Sequence, residues 1–266
     1  MRFLLTIVFG LVLSPSALQA TIRSEVLRYR QSGIEFQSVL VYDDAVPGKR
    51  PGVLVCPEWW GLNDYAKHRA EMLAQLGYVA LAVDLYGAGQ ATEDPQVARK
   101  LSSALKSDRL LLRQRVNAAL EELKKDPRVN AQEIAAIGYC FGGTTVLELA
   151  RSGAEVRGVV AFHAGLDSPN PSDGRNIKGR VLVCHGANDS SSSAQDVAAF
   201  EQEMRENHVD WQMNLYGNAV HGFTNPAADQ RGISGVAYNA EADRRSWQAM
   251  EAFLEELFSR RDRPGR

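Results

Sequence analysis

Cysteine is scarce in this chain: only Cys56, Cys140 and Cys184 occur in 266 residues. An odd, small number in a chain of this size argues against a disulfide framework. There are five histidines, with no H-x-x-x-H pair and no Cys/His cluster, so no metal site is expected. Neither charge dominates: Lys+Arg 30 against Asp+Glu 32 gives a formal net charge of −2, which leaves no basic excess for nucleic acid. Gly87 and Gly89 are not followed by a phosphate-loop pattern, so neither a nucleotide nor any other cofactor is expected. Beyond the first residues no stretch approaches the ~20 apolar residues of a membrane span. There is no internal repeat and no low-complexity segment.

What is present begins with Met1-Arg2, an apolar run from Phe3 to Leu13, and the break Ser14-Pro15-Ser16-Ala17. This reads as an export signal over residues 1–20, cleaved after Ala20, although Leu18 is large for its place before the cut. The alternative is an uncleaved anchor. The expectation is an exported protein, periplasmic or secreted, free of the membrane after processing. Residues 21–266 suit one domain. The basic tail, Arg260 to Arg266, reads as a solvated terminus.

Ser24 to Asp43 reads as an antiparallel hairpin turning at Ser32-Gly33. Apolar strands then alternate with amphipathic helices. Strands are expected at Val53–Cys56, Val79–Val83, Ile134–Ile137, Val159–Phe162, Val181–Cys184 and Trp211–Tyr216, the last at an edge. Helices are expected at Asn63–Leu76, Arg109–Lys125, Gly142–Ala150, Ala194–Glu206 and Asn239–Phe258. The polar excursion Gly87–Asp108 carries a shorter helix near Gln96–Lys106. The alternation implies an α/β fold with a mainly parallel twisted sheet, helices on both faces and an N-terminal antiparallel hairpin. In such sheets the site lies beyond the carboxyl ends of the strands.

Three polar residues fall there. Cys140 sits in Gly138-Tyr139-Cys140-Phe141-Gly142-Gly143, directly after an apolar strand and before a helix. This is the layout of a G-x-S-x-G nucleophile elbow, with a thiol in place of the hydroxyl. Small residues suit a turn that tight, and the helix N-terminus favours a thiolate. Asp189 follows the next strand but one, and His221 follows the last. Nucleophile, acid, histidine is the chain order of α/β-hydrolases: His221 would take the thiol proton and Asp189 would orient the imidazole. His163 also follows a strand and is a candidate substrate contact, or else a satisfied polar residue at a strand end. His185 reads as structural, and His68 and His208 as exposed.

With Pro57-Glu58-Trp59-Trp60-Gly61-Leu62, Asp84-Leu85-Tyr86-Gly87 and His221-Gly222-Phe223, the elbow resembles the dienelactone hydrolase family of α/β-hydrolases from about Phe36 to Phe258. The resemblance implies the α/β-hydrolase fold, a Cys140–His221–Asp189 triad, and a Glu58 carboxylate that contacts the resting thiol and readies it. Backbone N–H groups of Phe141 and Trp59 are the expected oxyanion donors. Trp59 and Trp60 would wall an apolar acyl pocket. Better-known members grip a substrate carboxylate with an arginine four residues after the histidine; here that place is Asn225, which weakens the grip. A second family arginine precedes the elbow, and Arg99, Arg109 and Arg113 are candidates. The expected partner is a small ester or lactone, the expected state a monomer, and the expected reaction hydrolysis through an acyl-cysteine. Acyl transfer from the same intermediate and a non-catalytic thiol sensor are the alternatives.

Overall fold

The computed structural model describes residues 21–259; the expected export signal and the basic tail lie outside them. The first two strands, β1 (Ile22–Gln31) and β2 (Ile34–Asp43), form the hairpin. Ser32 (φ 49°) and Gly33 (φ 81°) make its two-residue turn, and positive φ at both central positions matches the right-handed twist of the strands. There follow β3 (Arg50–Cys56), α1 (Asp64–Gln75), β4 (Val79–Ala82), α2 (Pro95–Ser107), α3 (Arg109–Lys125), β5 (Val129–Tyr139), α4 (Phe141–Arg151), β6 (Gly158–Phe162), β7 (Arg180–Gly186), α5 (Ala194–Glu206), β8 (Trp211–Tyr216) and α6 (Ala240–Ser259). Asn63 accepts from the Ala66 N–H at the start of α1, and Ser193 and Asp196 form a reciprocal capping box on α5.

The sheet runs β1-β2-β4-β3-β5-β6-β7-β8, with β8 at one edge. The pairings of β1 with β2 and of β2 with β4 are antiparallel, and all others are parallel. Successive side chains of a strand point to opposite faces, so each central strand feeds two cores. Leu54, Ala136, Val159 and Val183 pack under α3, α4 and α5 with Leu112, Val116, Val146 and Phe200. Val53, Ile137, Val160 and Leu182 pack under α1 and α6 with Ala70, Leu73, Met250 and Leu254. Burial on both faces explains why these strands read as continuous apolar runs rather than alternating ones.

The same geometry settles the cysteines. Strands β5 and β6 lie between β3, which ends in Cys56, and β7, which carries Cys184. Three spacings put those strands about 14 Å apart, twice the ~7 Å limit for a disulfide. The two side chains also belong to cores on opposite faces. All three cysteines are free. Burial pushes the Cys184 thiol up to about 12, and Cys56 higher still, so both are inert core residues.

Candidate active site

Strand β5 ends at Tyr139 and helix α4 begins at Phe141, leaving Cys140 alone in the turn at φ 53°, ψ −115°. A non-glycine residue at positive φ is strained and persists only where its surroundings over-determine it. Here the surroundings are glycines. A Cβ on Gly138 would lie 2.0 Å from the Gly142 carbonyl oxygen, and one on Gly142 would lie 2.1 Å from that of Cys56. A Cβ on Gly143 would lie 2.6 Å from that of Ala164. The elbow glycines are therefore contact surfaces: α4 is pressed onto the ends of β3, β5 and β6, and the thiol is held proud of the sheet.

Beyond β7, Asp189 is buried and accepts from the Ser191 N–H at 2.8 Å. Its Oδ2 lies 2.9 Å from His221 Nδ1. Cys140 lies on the same cavity wall as His221 and is close enough to act on its charge. Burial opposes charge on His221, but Cys140 and Asp189 outweigh it and hold the imidazole well above its usual pKa. Burial likewise opposes charge on Asp189, while the bonds from His221 and the Ser191 N–H keep its carboxyl below the ordinary value.

Cys140 and His221 open onto a cavity of about 240 Å³, shared with Glu58, Trp59, Trp60 and Asn225. A second, smaller recess of about 130 Å³ on the α4 side of Cys140 is lined by Trp59, Phe141, Thr144 and Lys106. The larger open groove, about 720 Å³, lies at the opposite end of the strands around Arg157, Lys178 and Arg180, away from all of these residues. Phe141 is the first residue of α4, where the N–H has no intrahelical acceptor. Trp59 lies in the turn closed by the Gly61 N–H on the Glu58 carbonyl. The two indoles meet edge to face at 4.9 Å.

His163 does not face the cavity. It is fully buried, Nδ1 accepts from the Cys140 N–H at 3.1 Å and Nε2 lies 2.7 Å from Thr224 Oγ1, so no ring nitrogen is left for substrate. Asn225 lines the cavity, but its amide is engaged with the protein: Nδ2 donates to Glu58 Oε2 at 2.6 Å and Oδ1 accepts from the Ala227 N–H. None of the three proposed arginines lines either recess beside Cys140. Arg113 is spent on Glu148 at 2.8 Å and Asp173 at 2.7 Å, Arg109 pairs with Asp167 at 2.5 Å, and Arg99 borders a separate outer groove.

The cation in the cavity is one the sequence reading missed, Arg231. Its guanidinium lies over the Trp60 ring at 4.5 Å and 3.7 Å from the exposed Glu93. It belongs to the segment between His221 and α6, which also contributes Ile233 and Val236 to the wall. The available signal was length: a stretch from Gly222 to Asn239 with no regular pattern, directly after a candidate catalytic histidine, is long enough to be a binding loop.

A match to the dienelactone hydrolase family model runs over residues 36–258. The chain belongs to the dienelactone hydrolase family. Dienelactone hydrolases act on ester and lactone bonds, and this protein is a hydrolase of that type. A solved structure named m3DLH is 47% identical with a TM-score of 0.87, covering 89% of this chain and 99% of its own. A dienelactone hydrolase-like promiscuous phosphotriesterase from metagenomic libraries is 42% identical, also at TM-score 0.87, over 89% of this chain and 98% of its own. A Synechocystis sp. relative provisionally named carboxymethylenebutenolidase is 29% identical over 223 residues, 78% of this chain and 87% of that one.

Glu58 is where this dienelactone hydrolase carries a testable cost. Burial raises its pKa, against the Asn225 hydrogen bond and the fields of His221 and Arg231. The native state then binds the proton more tightly than the unfolded chain, so the ionised carboxylate destabilises the fold above its raised pKa. That cost disappears below the ordinary value of 4.5. Glu58→Gln keeps an acceptor for Asn225 and removes the charge. It should raise the melting temperature at pH 8, with the gain vanishing toward pH 4, while ester turnover falls. Thermal denaturation across pH, alongside activity, checks both; equal stability at pH 8 would show that Glu58 is not a strained carboxylate.

Proposed function

We propose that this exported enzyme hydrolyses a small ester or lactone through an acyl-thioester on Cys140. The observation that carries the reading is the His221–Asp189 hydrogen bond at 2.9 Å with Cys140, at the elbow, lining the same walled cavity as His221. His221 takes the thiol proton and the thiolate adds to the carbonyl carbon. The oxyanion is received by the N–H groups of Phe141 and Trp59. As the tetrahedral adduct collapses, the C–O bond breaks and His221 returns the proton to the departing alkoxide. His221 then takes a proton from water, hydroxide adds to the thioester carbonyl, the C–S bond breaks as His221 returns the proton to the Cys140 sulfur, and the acid is released. Asp189 keeps Nδ1–H oriented and offsets the imidazolium charge. Glu58, which shares the cavity with the thiol and is held by Asn225, adjusts its readiness. A cavity of about 240 Å³ fits a small substrate. Trp59, Trp60, Ile233 and Val236 favour an uncharged acyl body, with Arg231 available to a polar group at its edge. Export rests on the composition of residues 1–20. The 42% identical phosphotriesterase supports a second use of the same thiolate, attack on a phosphotriester.

Iodoacetamide tests the chemistry, because Cys56 and Cys184 are buried and have raised pKa values. Turnover of p-nitrophenyl acetate should fall in direct proportion to alkylation of the Cys140 peptide, and substrate should protect it. Complete alkylation with turnover intact would overturn the acyl-cysteine route. Product analysis with an added alcohol or amine separates hydrolysis from acyl transfer.

A further inference from the structure

Cys140 and His221 come from turns at opposite sides of β6 and β7, and their relative position must be held by the groups packed between them. We infer that His163 is the positioning residue that does so, a buried imidazole bracing the Cys140 turn against the loop carrying His221. The inference rests on the reading of Cys140 and His221 as the reacting pair.

His163 directly follows β6 and sits at φ 38°, the second strained non-glycine residue beside the elbow after Cys140 itself. Its ring is wholly buried. Nδ1 faces the Cys140 N–H at 3.1 Å, sharing that donor with the Phe162 carbonyl at 3.0 Å. Nδ1 is thus an acceptor, and in a neutral imidazole the proton must sit on the other nitrogen. Nε2–H therefore donates to Thr224 Oγ1 at 2.7 Å, and Thr224 lies three residues after His221. One rigid ring links the nucleophile's own backbone to the loop of the base.

The far end is anchored as well. Thr224 Oγ1 is 2.6 Å from the Tyr65 hydroxyl on α1. The Thr224 carbonyl accepts from Arg69 Nη2 at 2.6 Å, and that same nitrogen bonds Asp243 of α6 at 2.6 Å. Tyr139 and Phe223 pack beside the His163 ring, with centroids at 6.1 and 5.2 Å. The His221 ring stands edge to face with it at 5.2 Å. Burial first, and then the neighbouring His221, push the His163 pKa well below the usual range. The ring stays neutral, and the lone pair toward Cys140 is always present. A protonated ring would lose that acceptor and set a second cation against His221.

The geometry of attack is the sensitive quantity: displacement by about 1 Å can cost on the order of 100-fold in rate. His163→Phe keeps a ring for Tyr139 and Phe223 but removes both hydrogen bonds. It should lower kcat for p-nitrophenyl acetate by roughly 10- to 100-fold with KM unchanged. His163→Asn places Oδ1 near the position of Nδ1 and should recover much of the lost kcat, which a purely space-filling role would not predict. Thr224→Val cuts the brace at its other end and should lower kcat with His163 in place. Wild-type kcat in His163→Phe, or a folded His163→Asn no better than His163→Phe, would overturn the proposal. If His163→Phe fails to fold, wild-type kcat in Thr224→Val does the same. Cys140→Ala, run in parallel, separates the two levels: activity there would overturn the reading of the nucleophile, whereas an inactive Cys140→Ala beside a fully active His163→Phe would overturn only the brace.

Discussion

Cys140→Ala should reduce ester hydrolysis by at least about 10³-fold while the protein stays folded. The size follows from cooperation: once the nucleophile is gone, His221 and Asp189 have no thiol to deprotonate, and only oxyanion stabilisation and binding remain. The fold should tolerate the change because the Cys140 side chain is only partly buried and the turn is held by backbone contacts at Gly138, Gly142 and Gly143. Truncating it should cost no more than about 1 kcal/mol of stability. A second reading follows from electrostatics. The Cys140 thiol is one of the groups holding the His221 pKa up against burial. Its removal should bring that pKa down, measurable by NMR titration of the ring. An alanine variant with near-full activity and an unshifted His221 would mean that the reaction uses another nucleophile.

Gly142→Ala should be severely destabilising for a single added methyl. The added Cβ would meet the Cys56 carbonyl oxygen at 2.1 Å, its carbon at 2.5 Å and the Pro57 oxygen at 2.5 Å. All three are backbone atoms, so no rotamer change relieves the clash. Either α4 lifts from the sheet or the end of β3 separates from β5. Expected is a loss of about 4 kcal/mol or more, a melting temperature lower by roughly 10 °C, and loss of activity, because the displaced atoms include the turn that carries Glu58 and Trp59. Gly217→Ala is the matched control, since nothing lies within 4 Å of its Cβ; it should melt with the wild type. Equal stability of the two variants would show that the close approach of α4 to β3 is not required.

Hairpin, strand–helix alternation and elbow were readable because each is written locally. Ser32-Gly33 supplies the φ values of a tight turn, Leu54, Val159 and Val181 sit in runs that only a doubly covered strand can bury, and Gly138-x-Cys140-x-Gly142 admits few other conformations. Element ends were less legible. Strand β5 starts at Val129 rather than Ile134 because Arg50 and Pro51 of β3 extend to pair with it, and β3 accordingly begins at Arg50 rather than at the expected Val53. The Gly222–Asn239 stretch gave no periodic signal: it is a series of turns with its own backbone hydrogen bonds, tied by side chains to the loop after β3 and to α1.

The amino-acid sequence by itself determined the fold class, the family, and the placing of Cys140, Asp189 and His221 each beyond a strand end, because period, glycine placement and chain order are properties of neighbouring residues. Only the tertiary structure decided which side chains of similar chemistry meet. Arg113 and Arg109 are consumed by Glu148, Asp173 and Asp167, while Arg231, far along the chain, reaches the cavity. Asn225 closes on Glu58 across 167 positions, and His163 turns inward to Cys140 and Thr224 instead of outward to substrate. The reason is common to all of them. A buried polar atom must find a partner, and which partner lies within 3 Å is set by how helices and loops distant in sequence pack over the sheet.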